Sequence, residues 1–113
     1  MMVFDNSGPI YVQIKKHLEY RIIKGFYPLG SKLPSVRELG IEYGVTVVIM
    51  QRALTQLQES ELIIVKRGIG NFVTEEELVV ESTKALIIQE KRNELIEFLE
   101  DIDVTIDEFM KGV

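Results

Sequence analysis

Cations beside glycines are the residues of this chain best suited to a polyanion. The stretch KRGIGN sets Lys66 and Arg67 next to Gly68 and Gly70. Such cations neutralise phosphates, and the glycines let backbone approach a duplex without side-chain clash. Upstream, SVRE brings a hydroxyl at Ser35 and a guanidinium at Arg37 into one short run. A helix starting there would offer a phosphate that hydroxyl and nearby N–H groups. Further on, TVVIMQR has Thr46 as a helix N-cap, Gln51 able to pair with adenine N6 and N7, and Arg52 within reach of the backbone. Val47, Val48 and Ile49 break the pattern, because base readers carry polar groups in that first turn. Val47 and Val48 can touch a thymine methyl but cannot donate to guanine. Ile49 has the option of packing toward the preceding helix.

Each of these residues also has a plainer reading. Lys66 and Arg67 can be solvated hairpin charges, and Arg37 can pair with Glu38 or Glu42. Gln51 can be an exposed helix polar residue, and Val47 and Val48 can be packing or neutral drift. Other chemistry finds little support. There is no nucleophile–base pair, phosphate-cradling loop or metal cluster, so an enzyme is not expected. The chain has no cysteine, which excludes disulfides and thiolate sites. His17, its one histidine, falls off the main apolar stripe and is expected at the surface. The acids at 75–77 and at Glu97, Glu100, Asp101 and Asp103 lack a histidine partner and read as solvated faces. No cofactor and no metal are expected. The N-terminus lacks a signal-peptide pattern, and no apolar run nears the roughly 18 residues of a membrane span. A soluble cytoplasmic protein is the expectation.

Charge is uneven along the 113 residues. The net charge is −5, yet residues 1–74 carry nine Lys/Arg against six Asp/Glu, while 75–113 carry four against twelve. That asymmetry suggests a nucleic-acid-binding domain over 1–74 joined to something else over 75–113.

The elements that must position these groups follow from periodicity. Pro9 opens a helix in which Ile10, Ile14, Leu18 and Ile22 recur every four residues, with Ile23 and Phe26 alongside, until Gly25. A short second helix starts at Ser35 with Glu38 three residues on, a capping box; Val36, Leu39 and Ile41 can face inward. Gly44 ends it, and Thr46 starts a third helix to about Glu59, burying Met50, Ala53, Leu54 and Leu57. Two helices across a Gly-containing turn are a helix-turn-helix. Leu62–Val65 and Phe72–Val73 then read as a hairpin, the wing. Thr74 with Glu77 predicts a second capping box and another helix, which the DIDVT stretch interrupts. Thr105 with Glu108 predicts a third, for a short last helix.

Three runs in order carry a family resemblance: GSKLPSVREL (30–39), QRALTQL (51–57) and RGIGNFV (67–73). Together they strongly resemble the winged-helix domain of the GntR family of bacterial transcription regulators, from about Pro9 to Val73. The resemblance implies DNA contacts at Arg37 and Thr46. It also implies a polar turn at 47–49, from which this chain departs. The short tail resembles the YtrA-type subfamily, whose two C-terminal helices pair protomers.

The expected fold is therefore mainly α with a small β-hairpin: a winged helix-turn-helix followed by a two-helix dimerisation tail. Leu86, Ile88, Leu95, Leu99, Ile102, Ile106 and Phe109 form the tail's apolar stripe, with packing onto the first helix as the alternative. The leading hypothesis is a homodimeric regulator, a repressor, placing two recognition helices in successive major grooves of a near-palindromic operator in double-stranded DNA. Its rival is an interaction module that dimerises with weak or no sequence-specific DNA binding. An effector is left open; a tail this short leaves little room for an enclosed pocket, so a ligand is expected between protomers or between wing and tail.

Overall fold

The first helix forms where a proline frees the chain from needing a donor. In the computed structural model, which describes residues 2–112, α1 spans Ile10–Ile23. The Pro9 carbonyl accepts from Val12 and Gln13 N–H. Gly25, at φ 81, closes the helix: its N–H donates to Ile22 O and that of Phe26 to Arg21 O. This is the paired bonding of a Schellman end, which needs a left-handed residue there. Then follow α2 (Val36–Tyr43), α3 (Val47–Glu59), β1 (Ile63–Lys66), β2 (Gly70–Val73), α4 (Glu77–Asp101) and α5 (Ile106–Met110). Met1 and Val113, which end the two expected domains, lie outside the described residues. Among the described residues no helix is long and apolar enough to cross a membrane.

The core lies where α1, α2 and α3 meet the base of the hairpin. Ile14, Leu18 and Ile22 of α1 and Leu39 and Tyr43 of α2 are buried with Met50, Ala53, Leu54 and Leu57 of α3. Leu62, Ile63 and Val73 complete it from the wing. In α2 the helical period puts Val36, Leu39, Gly40 and Tyr43 on one face. Ile41 falls opposite and is 74% exposed, so the inward position expected of it belongs to Tyr43 instead. Ile10 and Phe26 are also exposed. Phe26 lies past Gly25, outside the helix, edge-on to Tyr27 with the Arg21 guanidinium 4.8 Å from its ring centre.

The helix-turn-helix depends on two glycines. Gly44 caps α2 at φ 70, a conformation that costs other residues about 1–2 kcal/mol. Gly40 lets α2 approach the turn: a Cβ there would stand 3.1 Å from the Val45 carbonyl oxygen. Val45 N–H donates to the Gly40 carbonyl at 2.9 Å, which draws the two together.

The hairpin pairs Ile63 with Val73 and Lys66 with Gly70, antiparallel. The first strand lies one residue later than Leu62–Val65, and the second starts two residues before Phe72. A third edge runs alongside β2: Val73 N–H donates to Ser31 O and Leu33 N–H to Asn71 O, with Lys32 bridged to Phe72. The helix expected from Thr74 begins only at Glu77. Thr74 is buried and still belongs to the sheet end, since its N–H donates to Leu62 O and its carbonyl accepts from Gly30 N–H. Its side chain accepts from Glu76 N–H, so no capping box with Glu77 forms. The boxes at Ser35–Glu38 and Thr105–Glu108 are both present.

The chain makes two compact units that divide between Glu81 and Ser82. The first holds α1–α3, the wing and the opening turn of α4, where Val80 joins the core and Leu78 is exposed. The second holds the rest of α4, a turn with Asp103 at φ 55, and α5.

His17 is not the surface residue its position suggested. It is half-buried, with a 2.6 Å hydrogen bond between Nδ1 and the Tyr43 hydroxyl. Arg21 beside it donates to Glu42 Oε2 at 2.6 Å and to the Tyr27 hydroxyl at 3.0 Å. Burial pushes the Tyr43 hydroxyl above its usual range, so it stays protonated.

Two outcomes are expected. Leu39→Ala should lower stability by about 2–5 kcal/mol in urea unfolding, and Ile41→Ala by less than about 0.5 kcal/mol. The second concerns pH. Burial first, then repulsion from Arg21 and Lys24, lowers the His17 pKa from 6.5 against the opposing pull of Glu42. The unfolded chain then binds more protons below that value, so this contribution to stability is present above pH 6.5 and lost as pH falls below it. Stability curves of His17→Gln and the parent should converge as pH drops through that window.

Candidate nucleic-acid interface

The wing tip is built by its glycines. Ile69 N–H donates to Lys66 O at 2.9 Å across a turn in which Gly68 has φ 74 and Gly70 φ 143. Both values lie where side chains are strained, so Arg67 is carried at the apex between Lys66 and a glycine. Arg67 is exposed and makes no ion pair among the described residues. Lys66 Nζ lies 4.2 Å from the Phe72 ring centre, a cation–π contact that lays the side chain along the hairpin.

Lys32 is the cation the sequence reading missed. A Cβ on Gly70 would stand 3.0 Å from Lys32 Cε, so the bare glycine makes room for that side chain. The segment before α2 thus adds a positive charge to the wing. The local signal was only a lysine between Gly30 and Leu33; the pairing with Phe72 joins residues forty apart in sequence. A hollow of about 620 Å³ between wing and α2 is lined by Lys32, Ser35, Glu38, Ile69 and Gly70, among others.

Ser35 opens α2 with its side chain accepting from Glu38 N–H at 3.1 Å, while Glu38 Oε1 accepts from Ser35 N–H at 3.1 Å. Those hydrogen bonds hold the Glu38 carboxyl below its usual range. The Ser35 N–H is therefore occupied. Its hydroxyl hydrogen and the first-turn N–H groups of Val36 and Arg37 remain for an anion. Arg37 is exposed, and neither expected acid pairs with it: Glu38 caps the helix and Glu42 takes Arg21.

On α3, Thr46 caps Ile49 N–H through Oγ1 at 3.3 Å. Val47 is 47% and Val48 68% exposed, whereas Ile49 packs partly against the core. Gln51 is exposed, its amide donating weakly to Thr55 Oγ1 at 3.4 Å. Arg52 is exposed, its guanidinium 4.0 Å from the Tyr11 ring centre. The hollow brings the starts of α2 and the wing together but does not include α3.

Among the described residues no group of three or more His, Cys, Asp or Glu could hold a metal ion. In the second unit Leu86, Ile88, Ile102, Ile106 and Phe109 are exposed and Leu95 half-buried. Leu99 is 4% exposed, which leaves it almost no surface for a partner. Phe98 and Met110, which the stripe omitted, are exposed.

Comparison with known proteins follows this geometry. Residues 10–73 match the model of the bacterial regulatory proteins of the gntR family. A solved GntR family transcriptional regulator from Listeria monocytogenes matches at TM-score 0.91 and 32% identity, over 96% of this chain and 95% of that one. The HTH-type transcriptional repressor YtrA of Bacillus subtilis is 32% identical over 92 residues, 80% of this chain and 71% of its own length. The AraR DNA-binding domain, solved in complex with operator ORX1, matches at TM-score 0.60 and 26% identity over 64% of this chain and 93% of that one. The family match runs from the first residue of α1 to the last of β2, the whole winged helix, and the chain belongs to the GntR family of DNA-binding bacterial transcription regulators.

Proposed function

We propose that this chain is a homodimeric repressor that acts in the cytoplasm on a near-palindromic operator. One observation carries the reading: among the described residues Arg37 and Arg67 stand exposed without ion pairs, at the start of α2 and at the wing apex, where cations can meet phosphates. Ser35, Lys66 and Lys32 add to that grip, and Gly68 and Gly70 let the wing backbone come close. Thr46, Val47, Val48, Gln51 and Arg52 meet the base edges and the flanking backbone from α3. The operator complex of the AraR domain supports DNA as the partner, and the name of the YtrA relative supports repression. The DNA-binding domain is 1–74, with its first compact unit running on to Glu81. The tail, 75–113, pairs the protomers through Leu86, Ile88, Leu95, Ile102, Ile106 and Phe109, with Leu99 as internal support. Exposed leucine, isoleucine and phenylalanine on one short helical pair favour burial against a second copy.

The exposed valines at the tip of α3 favour a second reading, an interaction module that dimerises without selecting DNA. Salt separates the two. A dimer with four cations per half on phosphates, Arg37, Arg67, Lys66 and Lys32, should show a slope of log affinity on log salt of about −7. Arg37→Ala should reduce that slope by about 2, one contact in each half, with the dimer intact by sedimentation. No affinity at low salt would leave the interaction module. Ile88→Asp should weaken the dimer at least about tenfold, because an unpaired charge would be buried, and operator affinity should fall with it.

A further inference from the structure

We infer that Val47 and Val48 read the C5-methyl groups of pyrimidines in the major groove; this rests on the operator-binding reading above. Among the described residues, the side chains at the tip of α3 offer one polar donor, the Thr46 hydroxyl hydrogen. Thr46 Oγ1 is engaged with Ile49 N–H, and Ile49 turns toward the core. Helical geometry puts Val48 on the face opposite Met50, Ala53, Leu54 and Leu57, with Gln51, Arg52 and Thr55 behind it on the same outward face. Arg52 is drawn aside onto the Tyr11 ring, and the Gln51 amide leans to Thr55. What leads the helix is therefore two isopropyl groups, Val48 the more exposed.

Base edges in the major groove offer one apolar group, the 5-methyl of thymine, and 5-methylcytosine carries the same group. Pressed there by Arg37 and Arg67 on phosphates, the valines bury against such a methyl. Against guanine they would cover the O6 and N7 acceptors without supplying a donor, which disfavours that base. Valine has few rotamers to lose, so the contact is entropically cheap. The apolar first turn of α3 thus becomes a reader of a methyl group, and one sensitive to cytosine methylation.

The test changes the DNA, so folding of a variant is not at issue. The operator is selected from random duplexes with the full-length chain, and its affinity and that of a scramble are measured by anisotropy. Each thymine is then replaced singly by deoxyuridine, which removes only the methyl. At one or two thymines per half-site, affinity should fall about fourfold, or about fifteenfold when both half-sites are changed. Placing cytosine there should weaken binding, and 5-methylcytosine should recover about fourfold of that loss. Val48→Ala should lower the thymine-to-uridine ratio at the thymine that Val48 meets. Uniform tolerance of uridine, with the operator still preferred over its scramble, would overturn methyl reading and leave the repressor reading standing. Equal binding of operator and scramble would instead overturn sequence-specific reading itself.

Discussion

What α3 can show to a partner is decided by what it must bury. Met50, Ala53, Leu54 and Leu57 are wholly enclosed by α1, α2 and the hairpin base. Truncating buried methionine or leucine side chains such as Met50, Leu54 and Leu57 to alanine costs about 2–5 kcal/mol each. The helix therefore cannot roll about its axis, and Val48, Gln51, Arg52 and Thr55 are held outward by the same burial. The glycine at 40 and the left-handed glycine at 44 set where α3 begins relative to α2.

Beside this apolar core lies a polar seam between α1 and α2. His17 joins Tyr43, and Arg21 joins Glu42 and Tyr27 while its guanidinium faces three aromatic rings. The seam engages Glu42, which pairs with Arg21 at 2.6 Å. Glu38 is consumed by its own helix cap. Both carboxylates thus have structural partners, and Arg37 is exposed with no ion pair among the described residues. The net charge of −5 therefore does not describe the surface near Arg37, since the charge that a neighbouring ion meets is set by groups within a screening length.

The wing makes the same point through backbone. Gly68 and Gly70 permit its tight apex, and Gly70 also admits Lys32 from the strand-like edge before α2. One unsubstituted position therefore serves the shape of the hairpin and the charge around it.

Much of this was legible in the sequence, because the signals are local. Capping boxes at Ser35 and Thr105, the stop at Gly44, the buried stripe of α3 and the glycine-bounded hairpin each depend on residues within a turn or two of one another. The position of Lys66 and Arg67 on the hairpin was legible for the same reason, and three ordered runs were enough for the family. Tertiary structure alone decided the rest. Ile41 and Tyr43 differ by two residues in an eight-residue helix, too short for its period to announce which one faces in. Thr74 looks like a helix cap until the sheet claims its backbone. His17 gains a partner twenty-six residues away, and Lys32 one that is forty away. Such contacts are set by how the elements pack on one another, and the order of residues along the chain carries no local trace of them.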